Sequence, residues 1–200
     1  MTEAIAHLQQ ADPVLGEIIT RVGAYRIEFR DPSFETLVKS IVYQQLSGRV
    51  ASVIFGRLVA AAGGKLTPES ILKLRPVRMR GVGLSGQKTA YIRDLARQTR
   101  DQRVIFESLA ALSDEQVIEQ LTQVKGIGVW TVHMFLIFAL RRANVLPTGD
   151  LGIRNAIRKA YGMDELPKPL EIENLAEPWR PYRTIASWYL WRSLESDANL

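Results

Sequence analysis

Apolar positions recur with the spacing of α-helices along almost the whole chain. Asp12–Pro13 and Asp31–Pro32 each offer a capping carboxylate before proline, and Ser113 with Gln116 forms a capping box. Residues 25–29 alternate like a strand, but one such segment cannot make a sheet. The pattern therefore predicts an all-α protein, with its main helices at about 32–44, 50–62, 88–100, 114–124, 129–142 and 181–193.

The apolar run from Val129 to Leu140 is the longest in the chain. It is apolar on almost every side, which is typical of a helix central to its fold. It is too short to span a bilayer, and the N-terminus lacks the basic and apolar segments of a signal peptide. We therefore expect no membrane association and a cytoplasmic, nucleoid-associated location.

Composition excludes several classes of site. The chain has no cysteine, which rules out disulfides, thiolate zinc sites and cysteine-ligated iron–sulfur clusters. Its two histidines, His7 and His133, lie far apart in sequence, so no zinc site is expected. A net charge of +5 favours a polyanionic partner, although a basic enzyme with an unrelated substrate would look the same.

The positive charge is concentrated between Lys73 and Arg103. Only Asp94 and Asp101 oppose the basic residues there, giving +7. Such a run is usually a solvated face. This one surrounds the turn Gly81–Gly83, which could hold a phosphate. The basic residues are Lys73, Arg75, Arg78, Arg80, Lys88, Arg93, Arg97, Arg100 and Arg103.

A second glycine pair, Gly126 and Gly128, separates an amphipathic helix from the apolar one. Such a turn reverses the chain tightly, and the N–H groups at the start of the second helix suit a phosphate. Lys125 adds a positive charge beside it. An ordinary helix–turn–helix connection would show the same Gly-x-Gly, which is weak evidence alone. The context favours phosphate binding by Lys125, Gly126, Gly128 and Thr131, with Lys88 as a further candidate.

A carboxylate follows the apolar helix in the loop Leu146–Gly152, at Asp150. The apolar positions Ile153, Ala156 and Ile157 come next, so Asp150 could simply cap a helix. Capping and catalysis are compatible, because a carboxylate held by helix N–H groups is fixed in position. From the residues alone, the capping role is favoured.

These motifs together resemble those of the helix-hairpin-helix (HhH-GPD) DNA glycosylases, in particular the compact alkyladenine, or 3-methyladenine, branch. The resemblance implies one glycosylase domain over 1–200 with two helical lobes and a DNA cleft between them. The hairpin would span about 114–142 and the catalytic loop about 144–152, with Asp150 as the essential carboxylate. In this family hairpin carbonyls hold a sodium or potassium ion, and here these would be the carbonyls of Thr122, Val124 and Ile127.

The resemblance also implies which bases are removed and how. Members that cleave the DNA strand carry a lysine where this chain has Trp130, so we expect a glycosylase without lyase activity and without any cofactor. Trp130 and Trp191 match the tryptophans of the base pocket, where indole stacks on a cationic alkylated purine. Met134, also a candidate for the base pocket, stands where the bacterial relatives have tyrosine and so departs from their pocket pattern.

Gln44-Gln45-Leu46-Ser47 matches the loop that these glycosylases insert into the duplex. Gln44, Gln45 and Leu46 are therefore the candidate wedge residues, and a polar turn at a helix end is the alternative. The expected partner is double-stranded DNA with a damaged base, bound by a monomer. Two other functions stay open: a glycosylase for deaminated or oxidised bases, and a DNA-structure-binding module without catalysis.

Overall fold

The computed structural model describes residues 1–197, and this part of the chain contains helices and no strand. The expectation of an all-α fold is therefore confirmed. The chain divides into two compact units. Of the described residues, the first unit contains 1–29 and 136–197, and the second contains 30–135. None of the described helices is long and apolar enough to cross a membrane.

The second unit contains the hairpin turn at 126–128, the wedge loop (Tyr43–Ser47) and the basic stretch (73–103). Leu37, Val38, Ile41 and Val42 of its first helix are fully buried, as their spacing predicts. Its helices are α3 (Phe34–Tyr43), α4 (Gly48–Ala61), α5 (Pro68–Lys73), α6 (Pro76–Gly81), α7 (Gly86–Arg100), α8 (Asp114–Thr122) and the start of α9 (Val129–Phe138).

The first unit contains the loop between α9 and α10 (residues 139–150), which ends in Asp150 and is called the aspartate loop. Its core contains the buried side chains of Trp179, Trp188 and Tyr189. These large aromatic side chains supply much of the apolar area that the unit removes from water. Its helices are α1 (Thr2–Ala11), α2 (Pro13–Val22), the end of α9, α10 (Leu151–Ala160), α11 (Pro169–Leu175) and α12 (Arg183–Asp197).

The capping signals are mostly confirmed. Asp12 caps α2 by accepting from Leu15 N–H (3.0 Å), and Ser113 and Gln116 form the predicted capping box of α8. The cap predicted at Asp31 is wrong. Helix α3 starts two residues later, because the Ser33 hydroxyl accepts from Thr36 N–H (3.3 Å).

The apolar helix α9 ends at Phe138, four residues before the predicted end at 142. Arg141 adopts the left-handed conformation (φ 57°), and Arg142 N–H bonds back to the Leu136 carbonyl (2.9 Å). These two features end the helix although its apolar pattern continues to Leu140. The loop that leads to Asp150 therefore begins directly after Phe138.

Candidate functional site: hairpin, wedge loop and aspartate loop

The hairpin between α8 and α9 turns at Gly126, whose φ is 81°. The first hydrogen bond of α9 runs from Val132 N–H to the Gly128 carbonyl (3.1 Å), so Gly128 caps the helix. The N–H groups of the first helical turn therefore point out of this end of α9, where the helix dipole is positive. Lys125 is exposed beside the turn.

The two hairpin glycines are required for different reasons. A Cβ at Gly126 would lie 2.0 Å from the Tyr91 ring of α7, so this position needs glycine for packing as well as for its φ. A Cβ at Gly128 would meet no atom of the chain within 4 Å, and its φ is ordinary. The fold therefore explains glycine at 126, whereas at 128 it leaves open space beside the turn.

Asp94 of α7 accepts a hydrogen bond from the hairpin backbone. Its side chain is buried and accepts from Lys125 N–H (3.0 Å), Arg97 (3.3 Å) and Gln98 (3.4 Å). Burial works to raise the pKa of Asp94, but these hydrogen bonds outweigh burial and leave the pKa lowered. The charge count treats Asp94 as part of a surface, whereas the structure makes it an internal acceptor.

The wedge loop, defined as Tyr43–Ser47, presents Gln45 and Leu46 to solvent. Gln45 is in the left-handed conformation (φ 56°), which costs a residue with a side chain about 1–2 kcal/mol. Gln44 behaves differently, because its side-chain amide donates to the Gly126 carbonyl (2.9 Å). Gln44 therefore ties the loop to the hairpin, and the structure leaves Gln45 and Leu46 as the exposed wedge candidates.

Two side chains of the basic stretch, Lys88 and Arg93, donate to backbone carbonyls. The Lys88 ammonium donates to the carbonyls of Val42 (2.7 Å) and Gln44 (2.6 Å), and partial burial lowers its pKa. The Arg93 guanidinium donates to the Leu74 carbonyl (2.6 Å) after α5. Both cations therefore hold the C-terminal ends of neighbouring helices. Phosphate binding by Lys88 stays a prediction, and these contacts give that side chain another role.

Asp150 is the N-cap of α10. Its Oδ1 accepts from Ile153 N–H (2.9 Å) and from the indole N–H of Trp191 (2.8 Å). Two donors on one oxygen fix the carboxylate plane. The carboxylate is partly buried, and the capping role weighed from the sequence is confirmed.

Trp191 is held between Asp150 and a ring of the apolar helix. Its indole stacks on Phe138 with ring centroids 6.0 Å apart and an interplanar angle of 24°. A Cβ on Gly152 would lie 2.9 Å from Asp150 Oδ1 and 3.1 Å from Trp191 Cδ1, so glycine gives these two side chains room to meet. Trp191 therefore positions the carboxylate, and its place in the base pocket stays a prediction.

Thr184, two turns before Trp191 on α12, fixes the start of the aspartate loop. Its hydroxyl donates to the Arg142 carbonyl (2.6 Å) and accepts from Val145 N–H (3.0 Å). Its own N–H bonds to the Ala143 carbonyl (3.0 Å). Helix α12 thus holds the loop at both ends, through Thr184 and Trp191.

The remaining pocket candidates lie on the first half of α9. Trp130 is 48% exposed, which argues against the usual role of a helical tryptophan in a core. Met134 and His133 are partly buried, and burial lowers the pKa of His133. Thr131 is buried, so its backbone N–H rather than its hydroxyl is suited to a phosphate.

Sequence reasoning missed Tyr91, Asp94, Gly152 and Thr184 as residues that shape the site. Tyr91, Asp94 and Thr184 contact residues that are distant in sequence, and Gly152 acts by having no side chain where Asp150 and Trp191 meet. Neither kind of contribution leaves a motif in the sequence. Asp94 carried the one usable signal, because an acid on the inner face of an amphipathic helix needs a donor.

Residues 38–181 match the family model described as "HhH-GPD superfamily base excision DNA repair protein". This chain therefore belongs to the HhH-GPD superfamily.

The relatives narrow the family further. DNA-3-methyladenine glycosylase 1 of Schizosaccharomyces pombe is 36% identical, over 96% of this chain and 87% of the relative. The solved S. pombe 3-methyladenine DNA glycosylase in complex with abasic DNA superposes with a TM-score of 0.83, covering 94% of this chain and 95% of that one. A DNA-3-methyladenine glycosidase from Bacillus halodurans, at 34% identity, gives 0.89 and covers 98% and 91%.

Proposed function

We propose that this protein is a monofunctional DNA glycosylase that flips alkylated, cationic purines such as 3-methyladenine or 7-methylguanine out of DNA and hydrolyses their N-glycosidic bond. The observation that carries the proposal is the Asp150 carboxylate, fixed by Ile153 N–H and Trp191 N–H within a chain of the HhH-GPD superfamily. The relatives reported above are all named 3-methyladenine DNA glycosylases or glycosidases.

The chemistry needs a fixed negative charge more than it needs an acid. As the bond between C1′ and the base nitrogen breaks, its electron pair leaves with the base and positive charge develops on the sugar. A carboxylate already fixed in place stabilises that charge without reorganising. Water then adds to C1′ and gives up a proton, for which Asp150 is the acceptor. A cationic alkylated purine departs as a neutral molecule, so no general acid is required.

DNA binding by the hairpin is supported by its geometry. The exposed Lys125, the N-terminal end of α9 and the unfilled space at Gly128 together suit a phosphate of the DNA backbone. In the first turn of α9, the exposed Trp130 offers an indole face for a flipped base. The protein would act on double-stranded DNA as a monomer and in the cytoplasm, with residues 1–200 as one functional unit.

A monovalent cation fits the hairpin by donor chemistry. The carbonyls of Thr122, Val124 and Ile127 are neutral oxygens, which suit sodium or potassium better than a transition metal. The Val124 carbonyl already accepts from Ile127 N–H (3.1 Å), and a carbonyl oxygen has a second lone pair for an ion. Among the described side chains, no group of three or more His, Cys, Asp or Glu could hold a metal ion. The ion would hold the turn in shape and take no part in bond cleavage.

The test is excision from duplexes that each carry one modified base. The panel contains 7-methylguanine, 3-methyladenine, ethenoadenine, hypoxanthine and uracil. We expect release of the two methylated purines to be at least about tenfold faster than release of the neutral bases. A tenfold difference in rate corresponds to about 1.4 kcal/mol in the activation barrier. Faster release of uracil or hypoxanthine would assign the protein to a different substrate class, and release of none would leave a DNA-binding module.

The absence of a nucleophilic lysine gives a second expected result. Trp130 occupies the lyase position, so no Schiff base should form with the sugar. Incubation with abasic or lesion DNA and borohydride should trap no covalent complex, and the product strand should stay intact until alkali is added. A lysine-dependent adduct would contradict monofunctional action.

A further inference from the structure

Helix α7 carries three side chains that contact the wedge loop or the hairpin of the second unit. Lys88 donates to the Val42 and Gln44 carbonyls at the wedge loop. Tyr91 packs over Gly126, and Asp94 accepts from Lys125 N–H at the hairpin. Spacings of three residues put these groups on one side of the helix.

A direct bond closes this arrangement. The Gln44 side chain donates to the Gly126 carbonyl (2.9 Å), while its own carbonyl accepts from Lys88 (2.6 Å). Gln44 is therefore fixed at its backbone by α7 and at its side chain by the hairpin. The next residue, Gln45, holds its unfavourable φ of 56° immediately after this fixed point. A strained residue persists only where its surroundings fix it from several sides.

We propose that Lys88 and Gln44 are positioning residues that hold the wedge loop in register with the hairpin, so that a phosphate bound at the hairpin brings Gln45 and Leu46 to the base step beside it. The proposal rests on the DNA-binding function proposed above for both loops. Lys88 acts here through carbonyl oxygens of the protein and contacts no DNA phosphate in this role. The Lys88 side chain is partly buried, which agrees with an ammonium that faces protein carbonyls.

The test separates wedge positioning from catalysis. The probe is a duplex with a tetrahydrofuran abasic analogue and 2-aminopurine as its 3′ neighbour, whose fluorescence rises when the wedge unstacks it. This DNA has no base to excise, so a rise with the wild-type protein supports the wedge even if the excision panel fails. No rise with the wild type would overturn this proposal alone.

Lys88→Met keeps the length of the side chain and removes its donors. We expect it to lose most of the fluorescence rise and to slow single-turnover excision about tenfold to a hundredfold, because misplacement by about 1 Å has effects of this size. Gln44→Met, which cuts the link to Gly126 without changing charge, should act in the same direction. Lys88→Arg should recover part of the rise.

Arg93→Met is the matched control. Arg93 lies on the same helix and donates to the Leu74 carbonyl in the same way, but at α5 instead of the wedge loop. It should lose thermal stability as Lys88→Met does and keep the fluorescence rise. An equal loss of the rise in both variants would reduce Lys88 to general support of the fold and overturn the proposal.

Salt dependence distinguishes the remaining alternative. If Lys88 contacts a phosphate, the negative slope of log K against log salt should become less steep by about 0.9 in Lys88→Met. Positioning predicts an unchanged slope together with the lost fluorescence rise. A less steep slope with a normal rise would make Lys88 a phosphate ligand, as the sequence indicates, and would refute the positioning role.

Discussion

Asp150→Asn should reduce excision of 7-methylguanine by at least about 10²–10³-fold, the loss that follows removal of a preorganised electrostatic group. Folding should be nearly unaffected. Ile153 N–H and the Trp191 indole both donate to Oδ1, so the single amide oxygen of asparagine can accept both bonds. Asparagine also equals aspartate as a helix cap. The measurements are single-turnover excision, thermal unfolding and affinity for abasic-analogue DNA.

The chain supplies a matched control at Asp12. Asp12 also caps a helix, accepting from Leu15 N–H, and also accepts from an indole, that of Trp179 (2.8 Å). Here the donors meet different oxygens, because the Trp179 indole and the Tyr161 hydroxyl both donate to Oδ2. Asp12→Asn should therefore cost about 1–3 kcal/mol of stability and leave excision per folded molecule unchanged. Near-normal excision by Asp150→Asn would refute the catalytic assignment.

Trp130→Ala should slow excision of charged bases more than that of neutral bases. The exposed indole can stack on any flipped base, which is worth about 1–3 kcal/mol per base, so all rates should fall. A cationic base gains a further 0.5–2 kcal/mol or so from the ring face, which corresponds to about 2- to 30-fold. The diagnostic quantity is the ratio of losses for 7-methylguanine and ethenoadenine.

Two further variants at Trp130 separate stacking from bulk. Trp130→Phe keeps an aromatic face and should retain part of the preference for charged bases, whereas Trp130→Leu should not. Thermal stability should fall most for Trp130→Ala and least for Trp130→Phe, because the residue is only 48% exposed and truncation removes buried apolar area. Equal losses of excision rate for charged and neutral bases would mean that Trp130 contacts the base without selecting for charge. A large loss of stability without loss of excision would mean that Trp130 has a structural role only.

Local signals account for much of the fold because they act within one helical turn. Ser113 and Gln116 cap α8 as their spacing predicts, and the buried face of α3 follows its apolar period. Predictions failed where a competing contact lay just outside the pattern. Ser33 displaced Asp31 as the cap of α3, and the left-handed Arg141 ended α9 although apolar residues continue beyond Phe138.

The sequence by itself determined the all-α class, the glycine turn at 126–128, the carboxylate at 150 and the absence of cysteine chemistry, since residue identity and short spacing settle these. The tertiary structure alone decided which polar groups meet. Lys88 and Asp94 look like surface charges in the sequence, yet one faces the wedge loop and the other the hairpin. Trp191 reaches Asp150 across 41 residues. Such pairings depend on how helices pack, which no local spacing records.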